Sequence, residues 1–199
     1  MILPILILAA GASTRMRGAD KLLEDVQGAP CLQVMAKRAL ATGQPIVITL
    51  PRLDHPRTRC LDGLDVIQVT VPDANRGMSR SLQRGILALP RAADGVMILP
   101  ADMPEITTRD MNEMLDAFSN TDALALRAAT TTGKQGHPII FDAALFNKFQ
   151  HLSGDIGAQP ILSKLGDRLK LHPLAADHAR LDLDTPEDWS AWRSRSNAV

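Results

Sequence analysis

Three short stretches of the chain carry side chains suited to phosphate and metal chemistry. The first is Ala9-Ala10-Gly11-Ala12-Ser13, followed by Arg15 and Lys21. Small residues let a backbone approach a ligand closely, and its exposed N–H groups can line a concave anion site. A guanidinium fork and an ammonium point charge both suit phosphate oxygens. The stretch has neither the GxxxxGK[ST] of a P-loop nor the GxGxxG of a dinucleotide fingerprint. On residue types alone, a phosphate site and a plain surface loop explain it equally well. The second stretch is Leu99-Pro100-Ala101-Asp102-Met103-Pro104. A carboxylate on a turn stiffened by two prolines can hold Mg²⁺, which takes one or two protein carboxylates plus phosphate oxygens and water. A simple turn aspartate is the other reading. The third is Leu181-Asp182-Leu183-Asp184-Thr185. Its acids are expected to diverge, one toward a site and the other toward solvent or the cap of the next helix.

The surrounding pattern says where these stretches sit. Residues 2–8 form a short, continuous apolar run, as a strand buried on both faces does. Further strands are expected over 45–50, 65–71, 96–99, 123–126 and 138–141. Helical spacing covers 32–40 and 78–89, and helices are expected over 143–152 and 156–165. Thr107 can cap a helix running to about Phe118, with Asp110 in its first turn. Thr185-Pro186-Glu187-Asp188 is a helix start, with a Thr cap, Pro at the first position and acids facing the positive helix end. Strands alternating with helices of about a dozen residues predict an α/β fold with a mostly parallel sheet. Ligands on such sheets bind beyond the carboxyl ends of the strands. That rule selects residues 9–21, 72–81, 100–104 and the pair Asp182 and Asp184.

Composition removes several function classes. The chain has 199 residues, formal net charge zero, no tyrosine, four phenylalanines and two tryptophans. Neither a basic field nor an aromatic platform is present for nucleic acid. No apolar run is long enough to span a bilayer. An apolar opening that ends in small residues also suggests a secretory leader. Here, however, Pro4 interrupts a short run and the first basic side chains, Arg15 and Arg17, follow it, so a strand and a cytoplasmic protein are expected. Cys31 and Cys60 lack metal-ligand or CxxC spacing and read as a buried hydrophobe and a loop thiol. His55, His151, His172 and His178 read as surface or capping residues. Met78, Met97, Met103, Met111 and Met114 read as core or gap-filling. Trp189 and Trp192 share a helix face. Arg76, Arg80 and Arg84 form a basic stripe that reads first as a solvated face.

The motifs also resemble those of a known family. LAAGASTRM with the following Lys21 resembles the opening signature of the nucleotidyltransferases that act on molybdenum cofactor. VPDANRGMSRSL resembles that family's x-P-x-x-x-x-G-x-x-x-S-L segment, PADMP its G-D-M-P or G-D-Q-P turn, GHPIIF its G-H-P segment, and LDLDTPEDW its D-x-D-T-P-E-D close. The resemblance covers nearly the whole chain. Ala10 matches the form associated with cytidylyl transfer, whereas guanylyl-transferring relatives more often show L-A-G-G. Arg17, Pro100-Ala101 and Asn75-Arg76 depart from the family pattern.

The resemblance implies a three-layer, Rossmann-like nucleotidyltransferase fold, here one domain over 1–199. It implies transfer of CMP, or else GMP, from CTP or GTP to a phosphorylated small molecule, molybdopterin first among them, with release of pyrophosphate. Leu8, Ala9, Ala10, Gly11 and Ser13 would contact the nucleotide. Arg15 and Lys21 would meet its phosphates, and Gly77 and Ser81 would lie near base or ribose. Asp102 would bind Mg²⁺ with Asp184 as second ligand, and His137 would fall on the acceptor side. Arg15, Lys21 and Asp102 form the expected catalytic set, with a molybdoenzyme as a candidate protein partner. Two rivals remain. One is a nucleotidyltransferase for a methylerythritol phosphate or a sugar phosphate. The other is a nucleotide-binding partner that inserts a cofactor without turnover.

Overall fold

The computed structural model describes residues 1–196. Along the chain lie β1 (Ile5–Leu8), a small hairpin of β2 (Asp25–Val26) and β3 (Ala29–Pro30), α1 (Cys31–Leu40), β4 (Ile46–Leu50), α2 (Pro56–Arg59), β5 (Ile67–Thr70) and α3 (Met78–Leu87). Then follow β6 (Gly95–Pro100), α4 (Thr108–Ser119), β7 (Ala125–Ala129), β8 (Gln135–Asp142), α5 (Phe146–Phe149), α6 (Gln159–Leu162), β9 (Leu169–Pro173) and α7 (Pro186–Ser196). Within the described residues, seven strands form one sheet in the order β5-β4-β1-β6-β8-β7-β9. Its pairings are parallel except those of β8, which runs antiparallel to β6 and β7. The expected α/β class with a mostly parallel sheet is what the chain adopts.

Alternation along β1 builds three layers, because successive strand side chains point to opposite faces. Ile5 and Ile7 pack in one core with Leu32 and Met35 of α1, Met111 and Met114 of α4, and Trp189 and Trp192 of α7. Leu6 packs in the other core with Leu82 and Ile86 of α3, Phe149 of α5 and Ile161 of α6. The two tryptophan rings meet edge to face, 5.8 Å apart. Both long C-terminal-half helices start on reciprocal caps. Thr107 Oγ1 accepts from the Asp110 amide at 3.1 Å while Asp110 accepts from the Thr107 amide at 2.8 Å. Thr185 and Asp188 repeat the arrangement at 3.2 and 2.9 Å.

Several boundaries differ from expectation. The first strand starts at Ile5, because Pro4 has no N–H for the ladder. The expected helix over 143–152 is a 3₁₀ turn, Ala143–Leu145, running into α5. Over 156–165, Gly157 sits in the left-handed region at φ 59° and Pro160 must lie in a first turn, so only α6 forms. The outer strand β9 was not expected from the sequence: Leu169-Lys170-Leu171-His172-Pro173 alternates apolar and polar residues over only four positions before a proline, and its side chains are mostly exposed. Of the methionines read as core, Met78 is instead 46% exposed, while Met97, Met103, Met111 and Met114 are buried. Cys31 is buried and Cys60 half-buried.

Candidate active site

The sheet brings the three chemical stretches together. Leu8 pairs with Pro100 across β1 and β6, so the loop after β1 and the Asp102 turn after β6 leave the same sheet edge side by side. The Asp102 carbonyl then accepts from the Leu183 amide at 3.0 Å, which seats residues 182–184 against that turn. Lys21 lies on a 3₁₀ turn, Lys21–Leu23, capped by the Asp20 carboxylate. Its ammonium donates to Asp102 Oδ2 and, at 2.7 Å, to Asp184 Oδ1. Arg15 closes on the other Asp184 oxygen at 2.7 Å. Burial pulls the Lys21 pKa down, but Asp102 and Asp184 outweigh it and hold the ammonium above its usual range.

Two carboxylates from distant parts of the chain thus share one cation. Hard oxygen donors in this arrangement suit a divalent ion such as Mg²⁺ or Mn²⁺, with Lys21 standing in the cation's place. Among the described residues no group of three His, Cys, Asp or Glu side chains forms a metal cluster. A metal held here would therefore complete its shell with phosphate oxygens and water. Asp182 and Asp184, expected to diverge, line the same cavity, in keeping with the period of two in extended chain. Burial, then Asp184 and Asp102, raise the Asp182 pKa.

Arg57 was not singled out from the sequence, and it organises the small-residue loop after β1. Its side chain is 2% exposed. One guanidinium nitrogen donates to the carbonyls of Ala9 and Gly11 at 2.6 and 2.7 Å. The others donate to both Asp20 oxygens at 2.7 Å and to Ser13 Oγ at 2.9 Å. Burial would raise the Asp20 pKa, yet Arg57 dominates and keeps the carboxyl below its usual value. His55 accepts from the Arg57 amide at 3.3 Å through Nδ1, which fits the capping role expected of it. Nothing in the local run His55-Pro56-Arg57-Thr58-Arg59 marks one arginine for burial; only the fold folds it under the loop.

Two cavities meet at this centre. The larger, about 460 Å³, is bounded by Leu8, Ala10, Gly11, Ala12 and Ser81 on one side and by residues 155–159 on the other. The second, about 370 Å³, is lined by Arg15, Arg180, Asp182 and Asp184. Lys21, Asp102, Arg127 and His137 belong to both. Ala9 and Ser13 do not line the larger cavity; the Ala9 carbonyl and the Ser13 hydroxyl are spent on Arg57. Gly77 lies outside both linings, at φ 112°, where a Cβ would sit 2.4 Å from the Gly154 backbone. It lets loop 153–157 close over the start of α3, where Met78 and Ser79 amides bond Asp155 and Gly154. Burial, then Arg127, push the His137 pKa down to about 4, so its imidazole is neutral near pH 7. The basic stripe is largely a solvated face: Arg80 and Arg84 pair with Asp73 at 3.4 and 3.0 Å. Arg17 pairs with Glu187 at 2.8 Å, with both side chains exposed.

Known proteins resemble this chain in sequence and in fold. A family model described as a MobA-like NTP transferase domain matches residues 5–169. The purine catabolism protein PucB of Bacillus subtilis (strain 168) is 29% identical over 94% of this chain and 93% of its own. A probable molybdenum cofactor guanylyltransferase of Natronomonas pharaonis is 29% identical over 61% of this chain and 59% of its own. The crystal structure of Rv0371c from Mycobacterium tuberculosis H37Rv has a similar fold, with TM-score 0.85 at 20% identity over 97% of this chain and 98% of that one. A manganese complex of Rv0371c gives TM-score 0.80 at 19% identity over 96% and 97%.

Proposed function

Given that the chain belongs to the MobA-like NTP transferase family and is a nucleotidyltransferase, we propose that it moves CMP, or else GMP, from an NTP to molybdopterin and releases pyrophosphate. The observation that carries this reading is the Lys21 ammonium held between Asp102 and Asp184 where two cavities join. One cavity, floored by the small-residue loop, takes the nucleotide; the other takes the acceptor. The molybdenum cofactor guanylyltransferase relative supports the acceptor class, and Ala10 favours the cytidylyl form. Asp102 and Asp184 would hold Mg²⁺, and the manganese complex of Rv0371c supports a divalent ion. The reading includes a cytoplasmic protein that hands its product to a molybdoenzyme. Among the described residues, no helix is long and apolar enough to cross a membrane.

In the reaction an acceptor phosphate oxygen attacks the α-phosphorus. The bond from that phosphorus to the bridging oxygen breaks, and pyrophosphate leaves with the electron pair. A phosphate nucleophile is already ionised at neutral pH, so no general base is required. The amides and small side chains of residues 8–12 orient the nucleotide, and Arg57 keeps that loop in shape from beneath. Lys21 and Arg15, both bound to Asp184 where the cavities join, neutralise the phosphates as charge builds in the transition state. A bound Mg²⁺ supplies further charge neutralisation at the phosphate oxygens.

The test is pyrophosphate release with Mg²⁺, each NTP in turn and molybdopterin. Stoichiometric pyrophosphate with CTP supports the full reading. Release with GTP alone overturns the cytidylyl preference. Release only with a different phosphorylated acceptor overturns molybdopterin, and nucleotide binding without release with any acceptor overturns transfer itself.

A further inference from the structure

The cavity opposite the nucleotide loop holds two arginines that the motifs leave unassigned. Arg127, on β7, is half-buried, and Arg180 lies on the segment after β9. Each is anchored through neutral acceptors at the start of β8. Arg127 donates through Nε to the Gly136 carbonyl at 3.0 Å and through Nη1 to Gln135 Oε1 at 3.0 Å. Arg180 donates through Nη1 to the Gln135 carbonyl at 3.1 Å. Gly136 makes this possible: a Cβ there would sit 1.7 Å from the Ala179 carbonyl oxygen, so only glycine lets the Arg180 segment lie against β8. The His137 amide secures the contact by donating to that same oxygen at 2.8 Å.

The charges of this cavity do not balance among themselves. Asp184 is taken by Lys21 and Arg15, and Asp102 by Lys21. Among the described residues, neither Arg127 nor Arg180 has a carboxylate partner. Their positive charges face each other instead, and burial and then Arg180 push the Arg127 pKa down. Asp182, the remaining acid lining the cavity, forms an ion pair with neither arginine among the described residues. Two fixed guanidinium forks without a counter-ion, beside a neutral imidazole, form a receptor for a compact dianion. A phosphate monoester carries close to two negative charges and offers three oxygens.

We propose that Arg127 and Arg180 form the subsite that receives the phosphate monoester of the acceptor and aims it at the Lys21–Asp102 centre. This rests on the proposed nucleotidyl transfer, and the arginines then decide that the acceptor must be phosphorylated rather than merely hydroxylated or carboxylated. The test titrates inorganic phosphate into wild type, Arg180→Gln and Arg127→Gln, with the nucleotide cavity filled by a non-hydrolysable NTP. KM values for NTP and acceptor are measured beside it. Losing one charged fork should weaken phosphate at least about tenfold and raise the acceptor KM by a similar factor. The NTP KM should stay unchanged in Arg180→Gln, whose side chain lines only the second cavity. Unaltered phosphate affinity in Arg180→Gln overturns the proposal, as does acetate binding as tightly as phosphate. Should Arg127→Gln fail to fold, the exposed Arg180 still carries the test. If molybdopterin proves not to be the acceptor, phosphate binding still decides the subsite.

Discussion

Two side chains decide the site at the scale of single residues. Lys21 has two roles in the proposal, partner of the carboxylates and neutraliser of phosphate. Its loss should cost about 10²–10³-fold in kcat, the usual penalty for one preorganised electrostatic donor. Lys21→Ala in a single-turnover assay checks this, and near-normal turnover removes Lys21 from the chemistry. Arg57 lines neither of the two cavities, so its expected signature differs. Arg57→Ala strands the Asp20 carboxylate and two loop carbonyls, and breaking such a buried pair costs roughly 3–5 kcal/mol. Urea unfolding should show that loss, together with a raised NTP KM. Arg57→Lys, which keeps the charge without the fork, should recover only part of either. Arg15, Lys21 and Asp102 stood out in sequence through the ordered motifs that carry them, although residue types alone fitted a surface loop equally well. Arg57 did not, since its importance comes from where the chain after β4 returns, and no local pattern encodes that.

At the scale of elements, caps and close approaches set the frame. The Thr185–Asp188 cap starts α7 one residue after Asp184, so it also fixes where that carboxylate emerges. Thr185→Ala should cost about 1 kcal/mol of stability in urea unfolding, with weaker metal-dependent activity as its functional companion. Both cap sequences predicted their helices closely, because capping is a local interaction. Gly136 is the opposite case. Its sequence context marks a motif, while its reason lies 43 residues further on, at the Ala179 carbonyl. The short α6 replaced a longer expected helix because Gly157 and Pro160 limit continuation more strongly than apolar spacing promotes it.

Over the whole molecule, protonation couples to stability through His137. Its folded pKa, about 4, lies below the unfolded value near 6.5. The unfolded chain therefore takes up a proton first on acidification. Stability from this group is complete above pH 6.5 and declines as pH falls toward 4, by at most about 1.4 kcal/mol per pH unit. Urea midpoints across pH 4–7 should show this slope, and His137→Gln should flatten it. An unchanged slope would place the acid sensitivity elsewhere.

The sequence by itself determined the alternation of strands and helices, the phosphate-suited loop, the acids at strand ends and the starts of α4 and α7. Each depends on neighbours within a few residues, through side-chain period, capping and turn chemistry. Tertiary structure alone decided that Lys21 lies between Asp102 and Asp184, that Arg57 supports the loop, and that Arg127 faces Arg180 without a carboxylate. Those relations join residues separated by tens to more than a hundred positions. They arise only when sheet order places the ends of β1 and β6 together and folds the later segments across them.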